Sequence, residues 1–207
     1  MLIERSKLLR RGLLVEYVSV AWITVESIVA VSAGFLAGSL ALLAFGGDSF
    51  IELISSYAVL TYLKRTLKTP KASRSELGTE KIERITSFLL ISLIPIIAVG
   101  GVYSYFSRIE PESSLAGIAI GVGAVVIMPI LWVQKRRIGR EANCLPLSID
   151  AAESATCFFM SLALLGGLLV NYFLDLPWID YFATAIILAF VMKEAAESHR
   201  EVMEKPG

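Results

Sequence analysis

Asp48 and Glu52 stand four residues apart, and so do Glu153 and Cys157. On a helix such a pair shares one face and presents two donor groups side by side. Carboxylate oxygens are hard ligands suited to Mn²⁺, Fe²⁺ or Zn²⁺, whereas a thiolate biases a site toward Zn²⁺, Cd²⁺ and other softer ions. Two such helices facing each other could therefore hold a divalent cation, with Asp48, Glu52, Glu153 and Cys157 as metal ligands. Residue type and spacing leave a plainer alternative open: the carboxylates can be protonated or hydrogen-bonded inside a bundle, and a lone cysteine is more often a small buried hydrophobe. Asp150 lies one turn before Glu153 on about the same face and is an accessory candidate. Glu26, near the middle of the first apolar run, is another, as a proton carrier, a ligand or a structural partner. Glu16, near the end of that run, reads as an interfacial residue that reaches water. No His-Glu-x-x-His, Gly-x-Ser-x-Gly or phosphate-loop motif occurs in the sequence, so an enzyme is the weakest class.

These groups need elements that place them inside a membrane. The chain of 207 residues is 56% hydrophobic and only 18% charged, against about 45–50% and 25% for a soluble domain. A bilayer-spanning helix takes about 20 mostly apolar residues. Six runs qualify, at about 13–36, 39–63, 84–106, 115–134, 147–170 and 179–193. The expected fold is an all-α membrane protein, a six-transmembrane-helix bundle. Gly34, Gly38 and Ser39 mark a tight turn between the first two runs, and Pro95 and Pro129 fall inside spans that tolerate them. At 1.5 Å per residue Asp48 lies roughly 13 Å below Ser39 and Glu52 one turn deeper. Glu153 and Cys157, entering from the opposite face on an antiparallel helix, reach a similar depth. Ionisable residues at that level read as functional by default.

Charge sets the orientation. Of the 19 Lys and Arg, only Arg108 falls on the side opposite the rest, which occupy the N-terminus, the 64–84 and 135–140 connections and the C-terminus. The positive-inside rule places both termini, Thr69 and Gly139 in the cytoplasm, and Ser113 and Leu176 outside. The first apolar run is too long for a signal peptide. Cys144 and Cys157 lie in different environments, so no disulfide is expected. The net charge of zero suggests no nucleic-acid partner. Residues 194–207 form a short cytoplasmic tail, helical at its start.

The stretch Gly38-Ser39-Leu40-Ala41-Leu42-Leu43, followed by Asp48-Ser49 and Glu52, resembles the second helix of the cation diffusion facilitator (cation efflux) family. Gly78, Lys81 and Glu83 resemble that family's Gly-x-x-Lys-x-Glu entry to the third helix. Arg136-Arg137-Ile138-Gly139, then Asn143 and Asp150-Ala151, resemble its approach to the fifth. The resemblance covers nearly the whole chain. It implies proton-coupled efflux of a divalent metal (Zn²⁺ or a similar ion) from the cytoplasm by a homodimer in the cell membrane, with no permanently bound cofactor. By position it assigns the transport site to Asp48, Glu52, Glu153 and Cys157. The family commonly carries His or Asp where Glu153 stands and Asp where Cys157 stands, and the one histidine here, His199, is in the tail. Its cytoplasmic metal-binding domain has no counterpart in the sequence, so a single transmembrane domain over residues 1–207 is expected. Lys81 is expected to pair with Glu201 or Glu204. The alternative function is a non-transporting membrane metal-binding or assembly protein that keeps the fold.

Overall fold

A computed structural model describes residues 2–68 and 79–203, with side chains over 4–68 and 84–200. Among the described residues the chain forms six helices: α1 (Leu2–Ala37), α2 (Leu40–Lys68), α3 (Thr79–Phe106), α4 (Leu115–Glu141), α5 (Leu145–Leu174) and α6 (Ile179–Met203). Five of them, α1 to α5, are long and apolar enough to cross a membrane. The sixth is more polar along its length, with Asp180, Lys193, Glu194 and Glu197 in it. Its start is nevertheless fixed at the same end of the bundle as the start of α2. Asp180 accepts from the Ser39 hydroxyl (2.5 Å) and from the amides of Leu40 (3.0 Å) and Ala41 (3.2 Å). A carboxylate on these otherwise unpaired amides caps α2 and meets the positive end of its dipole. From that point α6 runs back through the bundle beside α2, α3 and α5.

The helices overrun the apolar runs that mark them. α4 continues to Glu141 and α5 starts at Leu145, so the basic stretch 135–140 is helix and not loop. Hydropathy marks where lipid contact ends, whereas backbone hydrogen bonding continues until a capping residue stops it. Here Asn143 takes a left-handed conformation (φ 48°), and Pro146 opens the first turn of α5, where its missing N–H costs nothing. α3 and α4 run unbroken through Pro95 and Pro129.

The bundle is apolar outside and sets buried charged residues within an apolar core. Leu36 is 86% exposed and Phe106 80%, while Glu16, Lys135 and Asp150 are each 0% exposed. Lipid is the solvent that makes this arrangement favourable. α1 and α2 approach through glycine: a Cβ on Gly46 would stand 2.8 Å from the Val31 nitrogen, and one on Gly34 2.9 Å from the Leu43 nitrogen. Small residues of this kind let membrane helices touch backbone to backbone. The close contact brings Glu26 of α1 against Ser49 of α2. The turn between them passes through Gly38 at φ 64°, which a side chain would strain. Thr69, Gly78 and the side chains of Lys81, Glu83, Glu201 and Glu204 lie outside the described residues, and with them the Lys81 pairing.

Candidate functional site

Asp48 and Glu52 point into the bundle from α2, at 3% and 4% exposure. The helix places them there by its heptad-like buried face, on which Phe45, Asp48, Ser49, Glu52 and Ser56 follow at steps of three and four. α5 answers from the facing side. The Ser154 hydroxyl lies 3.3 Å from Glu52 Oε1, Ser55 donates to Glu153 Oε1 (3.1 Å), and Ser56 donates to Asp150 Oδ1 (2.9 Å). These serines stitch α2 to α5 so that Glu52 and Ser154, and Ser55 and Glu153, stand at matching depths. Glu153 feels the charge of Asp48, and Cys157 feels both Asp48 and Glu52.

Three oxygens of this cluster have no hydrogen-bond partner: Asp48 Oδ1, Glu52 Oε2 and Glu153 Oε2. A buried carboxylate oxygen left unanswered is costly, by about 1–3 kcal/mol or more for a charged group. Glu194 of α6 has a further unanswered oxygen and feels the charges of Asp48, Glu153 and Glu52. Cys157 donates its thiol to Glu26 Oε1 (3.3 Å). Glu26 also accepts from Ser49 on that oxygen (2.8 Å) and from the Trp22 indole on the other (2.5 Å). Neither cysteine is in a disulfide. Among the described residues no three His, Cys, Asp or Glu side chains are drawn together tightly enough to form a ready-made metal cage.

A second cluster lies beside the first, toward the end of the bundle that holds the start of α1. Lys135 is wholly buried, with its ammonium 2.6 Å from Asp150 Oδ2 and 3.7 Å from Glu16 Oε1. It also donates to Ser154 Oγ (3.2 Å). Lys135 is therefore not one of the cytoplasmic loop charges, and Glu16 is not an interfacial residue reaching water. Both sit on buried helical stripes: Ile120, Ala124, Met128, Leu131, Lys135 and Ile138 on α4, and Leu9, Glu16, Ile23, Ala30 and Ala37 on α1. Extending the α4 register past its apolar run would have found Lys135, and following the α1 register within its own run would have found Glu16. Arg137 and Glu141, off the stripe, pair in the open.

Residues 17–204 match the family model of the cation efflux transmembrane domain. The chain is 25% identical over 202 residues to the manganese efflux system protein MneS of Bacillus subtilis (strain 168), covering 96% of this chain and 69% of that protein. It is 24% identical over 197 residues to the uncharacterized transporter YdbO of the same organism, covering 93% of this chain and 67% of that one.

Proposed function

The chain belongs to the cation efflux family, and on that footing we propose that it exports a divalent metal cation from the cytoplasm in exchange for protons, through Asp48, Glu52, Glu153 and Cys157. Membership makes it a multi-pass transmembrane metal-cation transporter and not an enzyme. The observation that carries the finer reading is the set of buried carboxylate oxygens with no partner, on Asp48, Glu52 and Glu153, gathered between α2 and α5. A cation or a proton is what such oxygens lack. A carboxylate holds one or the other, so a site built from three of them exchanges metal for protons. Protons entering from outside then release the metal there, and the emptied carboxyls give the protons up on the cytoplasmic side.

Among Zn²⁺, Cd²⁺, Co²⁺, Fe²⁺ and Mn²⁺, the donor set is mostly hard oxygen, which suits Mn²⁺, while Cys157 adds affinity for the softer ions. A relative named for manganese efflux supports Mn²⁺ as the first ion to test. The carrier works as a homodimer in the cell membrane with both termini cytoplasmic, the orientation supported by the placement of its basic residues. The non-transporting alternative, a metal sensor or assembly partner, draws on the lack of a ready-made cage among the described residues. Flux separates the two. Purified protein in sealed liposomes should move Mn²⁺ across the membrane, faster with an opposing proton gradient. A saturable binding signal with no flux under any gradient would leave the sensor reading in its place.

A further inference from the structure

We infer that Lys135 is a positioning residue of the transport site: anchored by Asp150 and Glu16, its ammonium orients the Ser154 hydroxyl toward Glu52, so that Glu52 keeps one oxygen engaged and offers the other to the metal. The inference rests on the transport reading above. The geometry runs in one line, from Lys135 Nζ to Ser154 Oγ at 3.2 Å and from there to Glu52 Oε1 at 3.3 Å. An ammonium has three hydrogens and no acceptor, so Ser154 must accept from it. That leaves the hydroxyl one hydrogen of its own. Two acceptors compete for it, Glu52 Oε1 and the Asp150 carbonyl oxygen at 3.1 Å. A cation behind the hydroxyl oxygen polarises the O–H bond, and a carboxylate is the stronger acceptor for a polarised donor. Glu52 Oε1 is thereby held, and Oε2 remains buried with no partner.

The ion pair explains how a wholly buried lysine is tolerated there. Asp150 and Glu16 fix the ammonium from α5 and α1, while its own backbone belongs to α4. Three helices thus hold one charge behind one serine. A bare structural staple would need none of the contact to Ser154, and it would leave the metal site indifferent to Lys135.

The test compares purified full-length chains by calorimetric titration with Mn²⁺ and by thermal unfolding. K135M/D150N removes a positive and a negative charge together, so the field at Glu52 changes little and the donor to Ser154 is lost. S154A removes the hydroxyl and leaves the ion pair intact. Each should bind Mn²⁺ about tenfold more weakly than the parent, the loss expected for one hydrogen bond to a charged group. The combined K135M/D150N/S154A chain should bind no more weakly than either, because the three residues act as one unit. Parent-like affinity in K135M/D150N, or losses that multiply to about a hundredfold in the combined chain, would overturn the inference. If K135M/D150N does not fold, S154A decides alone, and unchanged affinity there overturns it. D48N serves as the reference: binding lost in D48N but kept in K135M/D150N sinks the role of Lys135 and spares the transport reading, while parent-like binding in D48N sinks both.

Discussion

The two buried charge clusters of the bundle both draw carboxylates from α5, yet their charges are answered differently. Around Lys135 a cation of the protein's own stands among the carboxylates: the ammonium meets Asp150 at 2.6 Å, Glu16 at 3.7 Å and a serine oxygen at 3.2 Å, and the second Glu16 oxygen has no hydrogen-bond partner. Around Asp48 the cluster is open. Asp48, Glu52 and Glu153 each keep an oxygen with no partner. Asp180, at the far end of α6, gives a third point of reference as a buried carboxylate fully met by one hydroxyl and two amides. Buried charge in lipid is costly wherever it occurs. Where the protein supplies the compensation itself, the group is structural. Where it does not, the compensation has to come and go, which is what a transported cation and its protons do.

Substitutions that exchange the behaviour of the two clusters test this contrast. The largest effect belongs to the one around Lys135. Lys135→Met strips Asp150 and Glu16 of their cation and should destabilise the fold by about 3–5 kcal/mol, the usual result of removing one partner of a buried pair. Thermal unfolding of the purified protein measures it, and Asp150→Asn in the same chain should recover part of the loss. An unfolding temperature unchanged by Lys135→Met would mean that the ion pair is not structural. In the open cluster, the matching change should leave folding intact and abolish function. Glu52→Gln keeps the shape and the Ser154 contact but loses a ligand and a proton site. Metal flux into liposomes should fall by about a hundredfold, at the upper end of what losing even an outer-shell partner costs.

Cys157→Ser sharpens the comparison within the open cluster, because it removes only the soft donor. Cd²⁺ and Zn²⁺ affinity should drop roughly tenfold and Mn²⁺ affinity much less. Equal losses for all three ions would place Cys157 with Glu26 as packing and not as a ligand. Lowering the pH should weaken binding of every ion to the same carboxylates, since protons and metal compete for them and acid favours the proton. Affinity that is flat across the acid range would argue against exchange. The smallest effect is at Asp180, where Asp180→Asn weakens the α2 cap by about 1 kcal/mol and should leave metal affinity alone.

The sequence carried the open cluster's components more readily than those around Lys135. Runs of apolar residues long enough for a bilayer announce helices without ambiguity, and i, i+4 carboxylates within them stand out against an apolar background. Lys135 did not stand out, because Arg136, Arg137 and Arg140 follow it and the whole group reads as a topogenic loop. Only the register of α4, carried one turn beyond its apolar run, separates Lys135 on the buried face from its neighbours in the open. Glu16 was hidden for a different reason: it stands near the end of an apolar run, where a charged residue reads as interfacial. The serines were illegible for another reason: Ser49, Ser55, Ser56 and Ser154 gain their meaning from the helix they face, and that pairing is tertiary. α6 is the converse case. Its polarity weakens its hydropathy signal, and that same polarity puts Asp180 on the α2 amides and Glu194 beside the open cluster.

Equilibrium Mn²⁺ binding to the purified chain, compared between the parent, Asp48→Asn and Asp180→Asn, tests most directly the claim that the unanswered carboxylates form the cation site. Saturable binding in the parent, retained in Asp180→Asn and lost in Asp48→Asn, is the predicted result. Binding in Asp48→Asn that matches the parent would contradict it, because a buried carboxylate with an unanswered oxygen would then have no part in holding the ion.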